Sequence, residues 1–139
     1  MDEGARTFDH TGDLGLEAWA PDAARLYARA AEALMGLVAD ARGAAPTVVR
    51  EVRLSGDDPA DLLVHWLNTV LLESELARAV WTRVEVRRLT ATSLEASLHG
   101  SPLDPSRQTF LREIKAVSHH ALELELRGTA CRCRVVLDV

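Results

Sequence analysis

A chain of 139 residues falls in the commonest size range of a single domain, and 47% apolar with 27% charged residues is the make-up of an ordinary globular protein. A formal net charge of -5 excludes an unspecific nucleic-acid binder, whose affinity rests on neutralising phosphates with Lys and Arg, so any RNA is expected to be held by a partner. Met1-Asp2-Glu3 has neither the basic start nor the apolar core of a secretory signal, and no apolar run approaches the ~20 residues that span a bilayer; a cytoplasmic protein without membrane contact is expected.

The run Phe8-Asp9-His10-Thr11-Gly12-Asp13 gathers two carboxylates, an imidazole and a hydroxyl around one glycine. Carboxylates suit hard cations and imidazole suits Zn²⁺ or Mn²⁺, while aspartates beside glycine equally serve turns by accepting backbone N–H bonds. Gly12-Asp13-Leu14-Gly15 has the spacing of a backbone-clamping Gly-x-x-Gly loop, but its aspartate would repel phosphate.

Leu14, Leu16 and Ala18 alternate with Gly15, Glu17 and Trp19 as a strand leaving this run. Pro21 followed by Leu26, Ala30, Leu34, Leu37 and Val38 at helical spacing predicts a helix over about residues 21–39, ended by Gly43-Ala44-Ala45-Pro46. The β-branched run from Thr47 to Leu54 is the next strand. Asp58-Pro59 opens a second helix, with Asp61 near its positive end and an apolar stripe of Leu62, Leu63, Trp66, Leu67, Val70 and Leu71. Strands follow at 80–90, 94–98, 122–126 and 131–139, with a turn-rich loop from Gly100 to Pro105. The expected fold is α+β: one domain over 1–139, with a mixed, largely antiparallel sheet of about six strands packed with two helices.

Glu113-Ile114-Lys115-Ala116-Val117-Ser118-His119-His120 holds the only lysine beside fifteen arginines, a hint that a compact point charge is wanted there. Lys115 reads as a charge partner for a carboxylate or phosphate; Ser118, His119 and His120 could supply nucleophile, base or phosphate ligand. His65 and His99 read as boundary or solvent-facing residues, and Trp19, Trp66 and Trp81 as core or rim aromatics. Cys131 and Cys133, one residue apart on a strand, share a face and are expected to be reduced and buried, since adjacent spacing suits neither a disulfide nor a zinc site. Along that strand Cys131, Cys133, Val135 and Leu137 form one row and Arg132, Arg134, Val136 and Asp138 the other, so Asp138 stands outside the apolar row beside Val139. No Walker-type phosphate loop, Gly-x-Gly-x-x-Gly after a strand or His-Glu-x-x-His is present.

Phe8 to Leu16, the Ala30-Ala31 helix, Asp61 to Asn68, Glu113 to Ser118 and Val136-Leu137-Asp138-Val139 together resemble the archease family, in the expected order across essentially the whole chain. Two departures are Gly12, where the family usually has alanine, and Ser118-His119, where it commonly has threonine and tyrosine. The resemblance implies an accessory activator of the RtcB-type RNA ligase, promoting its guanylylation and multiple turnover in tRNA splicing and RNA repair rather than joining RNA itself. It also implies that Asp13 and Asp138 are metal ligands, that Val139 adds its terminal carboxylate, and that Lys115 matches the family's Lys-Ala-Val lysine with an activating role. The implied cofactor is a divalent cation, Ca²⁺, Mg²⁺ or Mn²⁺, and the implied partner is the ligase, which holds RNA and GTP. Two other readings are a stand-alone metal-dependent phosphoesterase or nuclease using the same acids with His10 or His119, and a general RNA-processing chaperone.

Overall fold

The computed structural model describes residues 2–106 and 108–139. The chain opens with a hairpin of β1 (Gly4–His10) and β2 (Asp13–Ala20), closed by Thr11 and Gly12 at φ of 41° and 88°. Positive φ at both central residues makes this a primed hairpin turn, whose twist matches that of the strands it joins. Gly12 adopts that conformation without a Cβ penalty, and Thr11 is held there beside it. The alternation expected from Leu14 onward is β2; β1 lacks an apolar row and so left no periodic signal.

Helix α1 (Ala23–Val38) follows, starting two residues later than the proline suggested because Asp22 is the cap and accepts the Arg25 N–H at 2.8 Å. After the two-residue β3 (Ala39–Asp40) and β4 (Val48–Ser55), α2 (Pro59–Ala77) begins as expected: Asp58 accepts the Asp61 N–H at 2.8 Å and Pro59 takes the first turn. The remaining strands are β5 (Ala79–Leu89), β6 (Ser93–Pro102), β7 (Thr109–Phe110), β8 (Ala116–Arg127) and β9 (Ala130–Asp138). Where a loop was expected from Gly100, β6 continues to Pro102, and the loop starts at Leu103. Gly100 is needed inside that strand, since a Cβ there would lie 2.2 Å from the Val80 carbonyl oxygen and 2.7 Å from the Trp81 ring.

The described strands form three sheets, β1-β2-β9-β8, β4-β6-β5 and the short β3-β7 pair, and every pairing is antiparallel. The α+β class with two helices is as expected; the strands divide among three sheets because the edges of each are set by long-range pairing. Helix α1 lies against β2 and β5 and α2 against β8. Trp66 and Trp81 are buried in the core between them, as are Cys131 and Cys133, both free thiols. The helices are tied at Tyr27, whose hydroxyl donates to the Pro59 carbonyl at 2.7 Å while its own carbonyl accepts from Trp66 Nε1 at 2.9 Å. On the face of the four-stranded sheet opposite the core, Glu17 is only 5% exposed and meets Arg6 at 2.8 Å, Arg134 at 3.1 Å and Arg132 at 3.2 Å. These three guanidinium groups hold its charge where water scarcely reaches it.

Candidate functional site: an acidic tip at the open end of the sheet

Strand register brings the two predicted acids together. β2 and β9 pair antiparallel with Leu14 opposite Leu137, so Asp13 and Asp138 stand one step further along, at the end of the sheet. Across the other side of β9, Ala116 of β8 pairs with Asp138. Asp13, Ser118, His120 and Asp138, floored by Ala116 and Val136, line one open depression of about 390 Å³.

The hairpin turn adds an imidazole. His10 is directly opposite Asp13, and its Nδ1 lies 3.2 Å from Thr11 Oγ1. The His10 ring meets His120 edge-on, with centroids 5.8 Å apart and planes at 74°.

His120 reaches this place through a bulge. Ser118 pairs with Val136 and Glu123 with Arg134, so His119 to Leu122 stand opposite Val135 alone, and Ala121 takes a left-handed φ of 56°. Inside the bulge, the His120 N–H donates to Ser118 Oγ at 2.9 Å. The two neighbouring histidines thereby part company. His119 Nε2 lies 3.1 Å from Asp61 Oδ1 at the start of α2, while His120 faces the depression. The Asp57 N–H at 2.8 Å, and then His119, hold the Asp61 carboxyl below the usual carboxylate range.

Ser118, His119 and His120 stand together in the sequence, with nothing in residue type to separate them. The separating signal is a change of phase: Val117 is buried on an odd position, whereas Leu122 and Leu124 turn toward the core on even ones. One face cannot be kept across that change without extra residues, so the bulge was legible there.

Lys115 is joined to the acids through its main chain, its N–H donating to the Asp138 carbonyl at 2.7 Å. Just before β8, it is exposed and lines a separate cleft with Asn68, Glu75 and Phe110. Val139 is half exposed just beyond β9 and does not line the acidic depression. Asn68, a polar residue in the middle of α2, grips the edge of β8. Its Nδ2 donates to the Val117 carbonyl at 3.0 Å and its Oδ1 accepts the Val117 N–H at 2.8 Å. Among the other histidines, His65 is exposed, with Nδ1 2.7 Å from the Ser55 carbonyl oxygen, and His99 lies on β6 with Nε2 buried.

As a donor set, the depression offers two carboxylates and a hydroxyl, oxygens of the kind Mg²⁺, Ca²⁺ and Mn²⁺ take. Among the described residues, no three His, Cys, Asp or Glu side chains converge closely enough to cage a metal. An ion held there by two carboxylates would keep most of its positions for water or phosphate oxygens.

These features define a small α+β domain with an acidic tip at the end of an antiparallel sheet. Its fold is that of the solution structure of Methanobacterium thermoautotrophicum protein 1598, with a TM-score of 0.80 over 98% of this chain and 99% of that one at 23% identity. The model of the Archease protein family (MTH1598/TM1083) matches residues 6–139. Among curated relatives, "Protein archease" of Methanopyrus kandleri is 30% identical over 134 residues, covering 94% of this chain and 96% of that protein. "Protein archease" of Sulfurisphaera tokodaii is 26% identical, covering 95% and 96%, and "Protein archease-like" of Drosophila melanogaster is 23% identical, covering 94% and 87%. The chain belongs to the archease family. Among the described residues, no helix is long and apolar enough to cross a membrane.

Proposed function

We propose that this chain is an accessory activator of a GTP-dependent RtcB-type RNA ligase, promoting guanylylation of the ligase and its multiple turnover in tRNA splicing and RNA repair. The observation that carries the reading is the meeting of Asp13 and Asp138, from the first hairpin and the last strand, in one open depression at an exposed end of the sheet. An open acidic tip suits a helper that reaches into a larger catalyst better than a self-contained active site, which would enclose its substrate.

In this reading Asp13 and Asp138 hold a divalent cation, Mg²⁺, Mn²⁺ or Ca²⁺, whose remaining positions go to water or phosphate oxygens. Such an ion, when bound, neutralises and orients phosphate oxygens. The chain's own contribution is positional. The primed turn fixes Asp13, the β2–β9 register sets Asp138 beside it, and the Lys115 N–H holds the Asp138 carbonyl in place. Lys115, exposed just before β8, is proposed to act from the neighbouring cleft, as a charge offered to a carboxylate or phosphate of the partner. RNA and GTP remain with the ligase, in keeping with a net charge of -5 on this chain.

The test is multiple-turnover ligation by the purified cognate ligase, with and without this chain, using RNA ends that carry a 2′,3′-cyclic phosphate and a 5′-hydroxyl. Stimulation should be present with the wild-type chain and absent with Asp13→Asn, which preserves shape but weakens hold on a hard cation, while circular dichroism and melting stay nearly unchanged. Turnover of the cyclic-phosphate RNA by the chain and Mn²⁺ alone would favour the stand-alone phosphoesterase instead.

A further inference from the structure

Two adjoining depressions, of about 430 and 520 Å³, run beside the C-terminal half of α2 and the 103–115 segment, and share Leu103 and Phe110. Three exposed apolar side chains line them: Leu72 at 51%, Leu103 at 46% and Phe110 at 66%. The main chain beneath is pinned. β7 pairs with β3, the Leu111 N–H donates to the Val38 carbonyl at 2.9 Å, and Arg112 Nη1 donates to the Leu37 carbonyl at 2.9 Å. Phe110 and Leu111 are thus held outward by an ordered backbone. Exposed apolar side chains set in a depression with a polar rim mark a protein contact.

The rim says what kind of contact. Glu75 and Glu113 line the cleft with a single cation, Lys115, so carboxylates outnumber it, and neither glutamate forms an ion pair among the described residues. Proteins that hold RNA and a nucleoside triphosphate carry basic surface around those phosphates, which complements unpaired carboxylates and a net charge of -5. The cleft is also in register with the acidic tip. Lys115 lines the cleft, its neighbour Ala116 lines the acidic depression, and the Lys115 N–H is bonded to the Asp138 carbonyl. A body seated in the cleft would therefore be set at a fixed offset from Asp13 and Asp138.

We infer that this cleft seats a basic amphipathic segment of the same ligase that the acidic tip serves, its apolar side chains against Leu72 and Phe110 and its Lys or Arg residues on Glu75 and Glu113. The inference rests on the proposed function and adds a second, separate contact to it.

Binding of the full chain to the purified ligase, measured by calorimetry at low and moderate salt, tests it. Leu72→Asp with Phe110→Asp should raise Kd by about tenfold or more. Glu75→Arg with Glu113→Arg should weaken binding and flatten its salt dependence, whereas Leu126→Asp, on an exposed leucine outside the cleft, should leave Kd unchanged. As a check that needs no disruptive substitution, benzoyl-phenylalanine at position 110 should cross-link to a Lys- or Arg-bearing peptide of the ligase. Tight wild-type binding that the cleft variants leave intact, with no cross-link from 110, overturns the inference and spares the accessory role. A wild-type dimer in sedimentation that Phe110→Asp dissolves makes the cleft a self-contact and overturns it too. Absence of any binding between wild-type chain and ligase sinks the proposed function itself.

Discussion

Replacing Asn68 by leucine keeps side-chain volume and removes the two hydrogen bonds that close the free edge of β8. Val117 is buried, so its N–H and carbonyl, bonded to Asn68 at 2.8 and 3.0 Å, are left without partners on a strand that has β9 on its other side. Two net hydrogen bonds at about 1 kcal/mol each, plus part of the cost of leaving both groups unpaired, give a loss of about 2–3 kcal/mol. Asn68 is half-buried, so water can reach one of the freed groups and keeps the figure at that level. For a domain of this size about 3–4 °C of Tm accompanies each kcal/mol, hence a fall of about 6–12 °C. Urea denaturation supplies the free energy, and amide exchange at Val117 the local signature. Val117 should lose protection in Asn68→Leu, and Asn68→Asp should also destabilise, since it keeps the acceptor but turns the donor into an anion facing a carbonyl. Stability within about 0.5 kcal/mol of wild type, or unchanged protection at Val117, would refute the reasoning.

Glu17→Ala removes the carboxylate shared by Arg6, Arg132 and Arg134. Because the arginines themselves reach solvent, the expected loss is about 1–3 kcal/mol by urea denaturation, less at high salt; no change would mean the cluster is energetically idle. The Asp61 carboxyl is held low in the folded chain, so its contribution is present above the ordinary Asp range near pH ~4 and fades as pH falls through the lower folded value. Asp61→Asn should therefore be less stable than wild type at neutral pH and show a shallower loss on acidification, with equal slopes as the contrary result. Burial pushes the Cys133 thiol up to about 12, so it should resist a thiol reagent at pH ~8 in the native chain and react after unfolding; rapid native labelling would contradict its burial.

Both helices were legible from apolar residues on one face, and α2 also from Asp58 beside Pro59; in α1 the proline marks the approach but the Asp22 cap sets the start at Ala23. Two gaps have a common cause. β1 carries no apolar row, since its outward face holds Arg6 and Phe8 against the Glu17 and Arg134 cluster, so alternation did not reveal it. The division into three sheets is decided by partners far apart in sequence, which no local pattern encodes. At the tip, the acids were found from residue type and family resemblance, and register explains why they meet. What Lys115 does was less legible: its bond to Asp138 runs through the backbone, and side-chain chemistry gives no sign of it. Asn68 escaped attention for a similar reason. An asparagine in a helix reads as a polar interruption until the bare strand edge beside it is known.

The position of β9 has a consequence for how the protein is made. It is inserted between β2 and β8, so the hairpin that carries Asp13 emerges from the ribosome early and waits for a central strand encoded more than a hundred residues later. Long-range pairing of this kind slows folding, and until it is complete the inner edge of β2 stays bare. The acidic tip therefore matures last, and nascent or shortened chains carry an unpaired β-hairpin, an invitation to chaperones or to aggregation, in place of a completed sheet end.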